Sequence, residues 1–197
     1  MKASLLLIPF FIVIANCLTL KQLETIFHNA PHSRLSAYFP HLENALKWGK
    51  ITTCKRIAAF LGQVGEESAE FKYMEELASG AEYEGRKDLG NTHKGDGVRF
   101  KGRGPIQITG RNNYAAAGKG IGVDLINHPT LASKPQYAFK TAVWFWNSRN
   151  LNHYADQNTQ SAFDQITLRV NGCITCSRTH KNVRDAYWHK AKKVLGC

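Results

Sequence analysis

Apolar residues return every three or four positions along most of this 197-residue chain. That period confines it to packed helices, because alternation by two, the mark of a half-buried strand, is nearly absent. Leu20, Leu23, Ile26 and Phe27 make one stripe, and Leu35, Tyr38, Phe39, Leu42 and Leu46 another, with Pro31 and Pro40 marking breaks or helix starts. Two short helices are expected there. A third stripe, Ile57, Phe60, Leu61 and Val64, follows Thr52 and Thr53, either of which can cap it. Glu67 continues that stripe three residues beyond Val64. An acid at the end of a core-facing stripe is out of place as a solvent residue, and burial raises a carboxyl pKa so that the proton is kept near neutral pH.

From 79 to 104 the pattern turns to glycine, charged and polar residues without a sustained period, which reads as long irregular connections. Loops of that length in compact domains are usually functional. Ile106, Gln107, Ile108 and Thr109 then alternate and are expected to form a short strand. A strongly apolar helix is expected over 137–146, with Trp144, Phe145 and Trp146 mainly in its core face, and further helices over 159–170 and 182–195. The class is therefore mainly α with a small sheet region.

Residues 1–17 carry one positive charge, an uncharged apolar run and small residues before Cys17, the pattern of a secretory signal peptide. Residues 18–197 are expected to form a single domain of a secreted, extracellular protein that does not insert into membranes. In an oxidising compartment Cys54, Cys173, Cys176 and Cys197 are expected to make two disulfides, of unassigned pairing. Cys173 and Cys176 have the spacing of a redox pair or half a zinc site, but no strand-then-helix pattern and no second ligand pair accompanies them. The 8 His residues lack metal-ligand spacing, so no metal and no cofactor are assigned. The net charge of +11, one less once Lys2 leaves with the signal, draws the protein toward polyanions. Export and the absence of nucleic-acid-binding motifs argue against nucleic acid and for anionic cell surfaces.

Seven glutamates, Glu66, Glu67, Glu70, Glu75, Glu76, Glu82 and Glu84, crowd one stretch of an otherwise basic chain. Cutting a glycosidic bond needs one carboxylic acid to protonate the leaving oxygen and a second group across the sugar. The run FKGRGPIQIT over 100–109, followed by GRNNY over 110–114, resembles the signature of glycoside hydrolase family 19, the chitinases and related phage-type endolysins. FKTAVWFW over 139–146 and ITLRVNG over 166–172 resemble two further family segments in the family's order. The resemblance extends from about 56 to 196.

The resemblance implies a lysozyme-like α+β fold, with two helical lobes around a cleft, and inverting endo-hydrolysis of β-1,4 bonds beside N-acetylglucosamine. Glu67 matches the general acid of the family's H-E-[ST]-G-G motif, although Glu66 replaces the histidine and Ala69-Glu70 the glycine pair. Glu76, nine residues on, matches the base of short-loop members, with Glu84 as its rival or a cleft residue. Thr109 would position the attacking water, while Gln107, Asn113, Asn171 and Arg184 would bind sugar; Tyr114 is a cleft aromatic in contact with sugar or, equally, a packing residue. The expected partner is a polysaccharide acted on by a monomer. Family membership favours chitin. The basic charge and the endolysin-like segment YEGRKDLGN over 83–91 favour peptidoglycan, and the motif departures raise a third possibility, a carbohydrate-binding protein with impaired catalysis.

Overall fold

A computed structural model describes residues 18–197; the expected signal peptide over 1–17, with Cys17, lies outside the described residues. Helix α1 (Leu20–Ile26) begins in a capping box: the Thr19 hydroxyl accepts from the Gln22 amide, and the Gln22 side chain accepts from the Thr19 amide. α2 (His32–Trp48) is longer than the periodicity suggested, because Pro40 lies inside it instead of breaking it. Leu35, Leu42, Ala45 and Leu46, on both sides of the proline, are buried. Their burial, about 1.5 to 3 kcal/mol for each leucine, outweighs the roughly 3 kcal/mol that an interior proline costs. α3 (Cys54–Glu67) is capped by Thr53, which accepts from the Arg56 amide at 3.3 Å, and buries Ile57, Phe60, Leu61 and Val64.

Beyond α3 the chain is irregular to residue 110, with single helical turns at Ala81–Tyr83 and Lys87–Leu89 and the short α4 (Asp96–Arg99). The strand expected over 106–109 does not form. Gln107 turns left-handed at φ +54°, and its amide bonds back to the Gly104 carbonyl at 3.0 Å, so the segment closes on itself. The sheet region is reduced to two isolated bridges, Glu75 with Arg103 and Arg103 with Ile108.

The remainder is helical: α5 (Arg111–Ile121), α6 (Pro135–Ser148), α7 (Leu151–Gln157), α8 (Gln160–Asn171, capped by Thr159) and α9 (Lys181–Leu195). α5 and α7 escaped the periodicity, the first because alanine and glycine fill it and the second because it has only 7 residues. α3 packs on α9, α7 and α8, with α1 on α9, while α2 and α5 pack on α6; these two helical lobes are joined through α1 on α2 and α6 on α7. α3 and α9 touch at Gly62, where a Cβ would lie 3.0 Å from that of Trp188 and 2.9 Å from the Phe163 ring. Phe145 and Trp146 are core residues, and Trp144 packs against the core from its edge. Among the described residues no helix is long and apolar enough to cross a membrane.

One disulfide joins Cys173 to Cys176, where two bridges were expected. Cys54 and Cys197 are thiols. They stand at one end of the α3–α9 pair, the former opening α3 and the latter closing the chain after α9.

Candidate active site

Glu67 is the last residue of α3, held at the margin of the core by the helix that buries its stripe. Arg184 on α9 donates to it through Nη2 at 2.6 Å. The same guanidinium donates through Nη1 to Gln63 Oε1 at 2.9 Å and through Nε to the Thr179 carbonyl at 2.7 Å. Gln63, fully buried one helical turn before Glu67, donates to Thr167 on α8 at 2.8 Å. Each of the three guanidinium nitrogens is therefore engaged, and at 2% exposure Arg184 is held against Glu67 and not open to sugar, contrary to expectation. Gln63 was missed in the sequence, although its place four residues before Glu67 puts both on one helix face.

Burial pushes the Glu67 carboxyl pKa above its ordinary value, and this outweighs the opposing charge and hydrogen bond of Arg184 and a hydrogen bond from Asn171. Asn171, expected on sugar, lies near Glu67, and its Oδ1 accepts from the Thr179 hydroxyl at 3.0 Å. Glu66, which replaces the family's histidine, pairs with the ring of His180. Its side chain is turned from Glu67 by the helix, and its charge adds only a smaller upward push to the Glu67 pKa.

Glu76 lies in the irregular segment with both carboxylate oxygens engaged. Tyr83 Oη donates to Oε1 at 2.9 Å, and the Gly102 amide donates to Oε2 at 2.9 Å. In return the Glu76 amide bonds the Gly102 carbonyl at 2.9 Å. A side chain at Gly102 has no room: a Cβ would sit 2.7 Å from Gln107 Oε1 and 3.1 Å from Glu76 Oε2. The glycine thus lets the Glu76 carboxylate and the Gln107 side-chain oxygen approach it closely. Gln107 donates to the carbonyls of Gly104 at 2.8 Å and Tyr73 at 3.2 Å. Thr109 Oγ1 donates to the Gln107 carbonyl at 3.0 Å, and Asn113 Nδ2 to the Thr109 carbonyl at 2.8 Å. Glu76, Gln107, Thr109 and Asn113 are brought together in this way.

Two other candidates fall elsewhere. Tyr114 is fully buried, donating to the Lys101 carbonyl at 2.6 Å and accepting from Arg103, so it braces the loop and does not face a ligand. Glu84 accepts the Gly95 and Gly97 amides at 2.7 and 2.8 Å, which spends both its oxygens on shaping the turn into α4. Arg103 likewise fixes the loop, donating to Glu75 and to the Arg99 carbonyl. Burial opposes ionisation of Glu75, but the cations of Lys101 and Arg103 prevail and hold its pKa below the usual value.

Glu67 and Glu76 are linked by a short fixed path. The Ser68 hydroxyl donates to the Val64 carbonyl at 2.6 Å and accepts the Phe71 amide at 2.9 Å. The Tyr73 amide then bonds the Ser68 carbonyl at 2.9 Å, and Gln107 holds the Tyr73 carbonyl. A half-buried carboxyl with a raised pKa on a helix end and a hydrogen-bonded carboxyl on a braced loop can divide acid and base roles between them. Among the described residues no group of three His, Cys, Asp or Glu side chains is placed to hold a metal ion.

Two helical lobes with this acid at the end of a buried helix define a mainly α, lysozyme-like protein. The model of glycoside hydrolase family 19, chitinase class I, matches residues 36–175, and the chain belongs to that family. An endochitinase of Arabidopsis thaliana is 42% identical over 125 residues, which are 62% of this chain and 41% of that protein. The acidic 27 kDa endochitinase of Solanum lycopersicum is 35% identical over 141 residues, 63% of this chain and 56% of that one. The chain spans about half the length of these curated relatives. Chitinase C from Streptomyces griseus superposes with a TM-score of 0.73 at 26% identity, covering 93% of this chain and 94% of that one. A class IV family 19 chitinase from Zea mays gives 0.64 at 28% identity, covering 81% and 80%.

Proposed function

We propose that the chain is a secreted endo-acting glycosidase that hydrolyses β-1,4 bonds of chitin with inversion, Glu67 acting as general acid and Glu76 as general base. The observation that carries this reading is the contrast between the two carboxyls. Glu67 is half-buried, and its desolvation raises its pKa, the direction that favours a proton donor. Glu76 is oriented by the Tyr83 hydroxyl and the Gly102 amide, which donate to its two side-chain oxygens. The Thr109 hydroxyl and the Gln107 and Asn113 amides supply polar groups beside Glu76 for water and sugar. The plant relatives named endochitinases support chitin as substrate. The net charge of +11 and the segment over 83–91 favour peptidoglycan as a second reading.

Glu67→Gln and Glu76→Gln should each lower kcat on N-acetylglucosamine oligomers by about 10²- to 10⁴-fold, the range of general acid–base catalysis. Glu84→Gln should cost far less. Steady-state assays on chitin oligomers and on purified peptidoglycan check this and separate the substrates. Undiminished turnover by Glu67→Gln removes it as the acid, and cleavage of peptidoglycan alone overturns chitin.

A further inference from the structure

α3 and α9 run antiparallel in a fixed register. Glu67 meets Arg184, the face at Gly62 meets Trp188, and Gly65 approaches Tyr187. Stepping back along α3 from Glu67 by thirteen residues reaches Cys54; stepping forward from Arg184 by the same number reaches Cys197. The register that joins the acid to its arginine at one end therefore brings two cysteines together at the other. The Cys197 amide closes the end of α9 by bonding the Lys192 carbonyl at 2.9 Å, which keeps the terminal residue folded back on the helix. Cys54 opens α3 and Cys197 lies two residues beyond α9, so both stand at the same end of the helix pair, where partial desolvation and the nearby Cys54 thiol push the Cys197 pKa up to about 12. Cys173 and Cys176 are already joined to each other and offer neither thiol another partner.

We propose that Cys54 and Cys197 are a second disulfide site, a covalent clasp across the far end of the helix pair that carries the catalytic acid and its arginine. Cys197 is exposed and Cys54 half-buried, so a small oxidant has access. The bond forms by exchange with a low-molecular-weight disulfide such as glutathione disulfide. A thiolate at one cysteine attacks it and releases one glutathione thiol; the other cysteine then attacks the mixed disulfide and releases the second. Two protons and two electrons leave the protein, and the co-reactant is reduced to two thiols. The clasp ties the first residue of α3 to the last residue of the chain, closing a loop of more than 100 residues, so its chief effect is to restrict the unfolded chain. This inference is independent of the hydrolase reading.

The test equilibrates the full described chain, residues 18–197, in a glutathione and glutathione-disulfide buffer, alkylates free thiols and maps peptides without reduction. The expected result is one peptide containing Cys54 linked to one containing Cys197. Cys197→Ser should lower Tm by about 5 to 10 °C against the oxidised parent and match it once both are reduced. A Cys173→Ser, Cys176→Ser double variant should keep the Cys54–Cys197 link, which separates the two bridges. Quantitative alkylation of Cys54 and Cys197 in the oxidised native protein overturns the proposal, as does linkage of either to Cys173 or Cys176.

Discussion

Three successive residues after the acid, Ala69, Glu70 and Phe71, have φ of +46°, +56° and +63°, a left-handed run without a glycine. For an L-residue that conformation costs roughly 1 to 2 kcal/mol. The family motif places glycines at the first two positions, and here the surroundings hold the turn instead. The Glu70 amide bonds the Gly65 carbonyl at 2.8 Å, and its side chain accepts from Asn29 and Tyr187. Phe71 is locked among Phe27, Tyr38 and Phe139. Glu70 thus has a structural use that glycine cannot fill, whereas Ala69 has none of its polar bonds. Ala69→Gly is expected to stabilise the domain by about 0.5 to 1 kcal/mol, the strain relieved being partly offset by glycine's larger unfolded-state entropy. Thermal unfolding reads this as a rise of about 1 to 4 °C. A fall would mean that the Ala69 methyl contributes packing that outweighs its backbone strain.

At the scale of elements, the α3–α9 pair sets the chemistry of the acid. Burial raises the Glu67 pKa while Arg184 lowers it, and the net shift is upward. In the proposed mechanism the active form needs the proton, which is present below the folded pKa and lost as pH rises through it, so the alkaline limb of the kcat profile should follow Glu67. Arg184→Gln removes the lowering influence and should move that limb to higher pH, while kcat falls because the carboxyl loses its orienting donor. A limb that stays put or moves down would detach Arg184 from the acid. The stripe Ile57, Phe60, Leu61, Val64 and Glu67 was legible in the sequence because helix period and burial are local properties. The course of 106–109 was not, because its alternation is overridden by Gln107 turning back onto Gly104 and Tyr73. Pro40 misled for a related reason: its local cost is outweighed by side chains buried through contacts distant in sequence.

Over the whole molecule, the family motifs located the site, and the fold redistributed its parts. Glu67 and Asn171 meet across α3 and α8, and Glu76, Gln107, Thr109 and Asn113 gather around Gly102. Tyr114 and Glu84 were drawn into bracing instead, which spacing alone does not reveal, since a motif fixes which residue is present but not which way its side chain turns. The fold keeps Glu67 on a rigid helix and Glu76 on a loop tied by Arg103, Glu75 and Tyr114. That division is what the proposed inverting reaction asks for, with water activated by Glu76 on the face opposite the bond protonated by Glu67. The most direct test follows the anomeric proton signals during the first minutes of cleavage of an N-acetylglucosamine hexamer, before mutarotation mixes the products. The account predicts that the new reducing ends appear first as the α anomer; initial accumulation of the β anomer would contradict it.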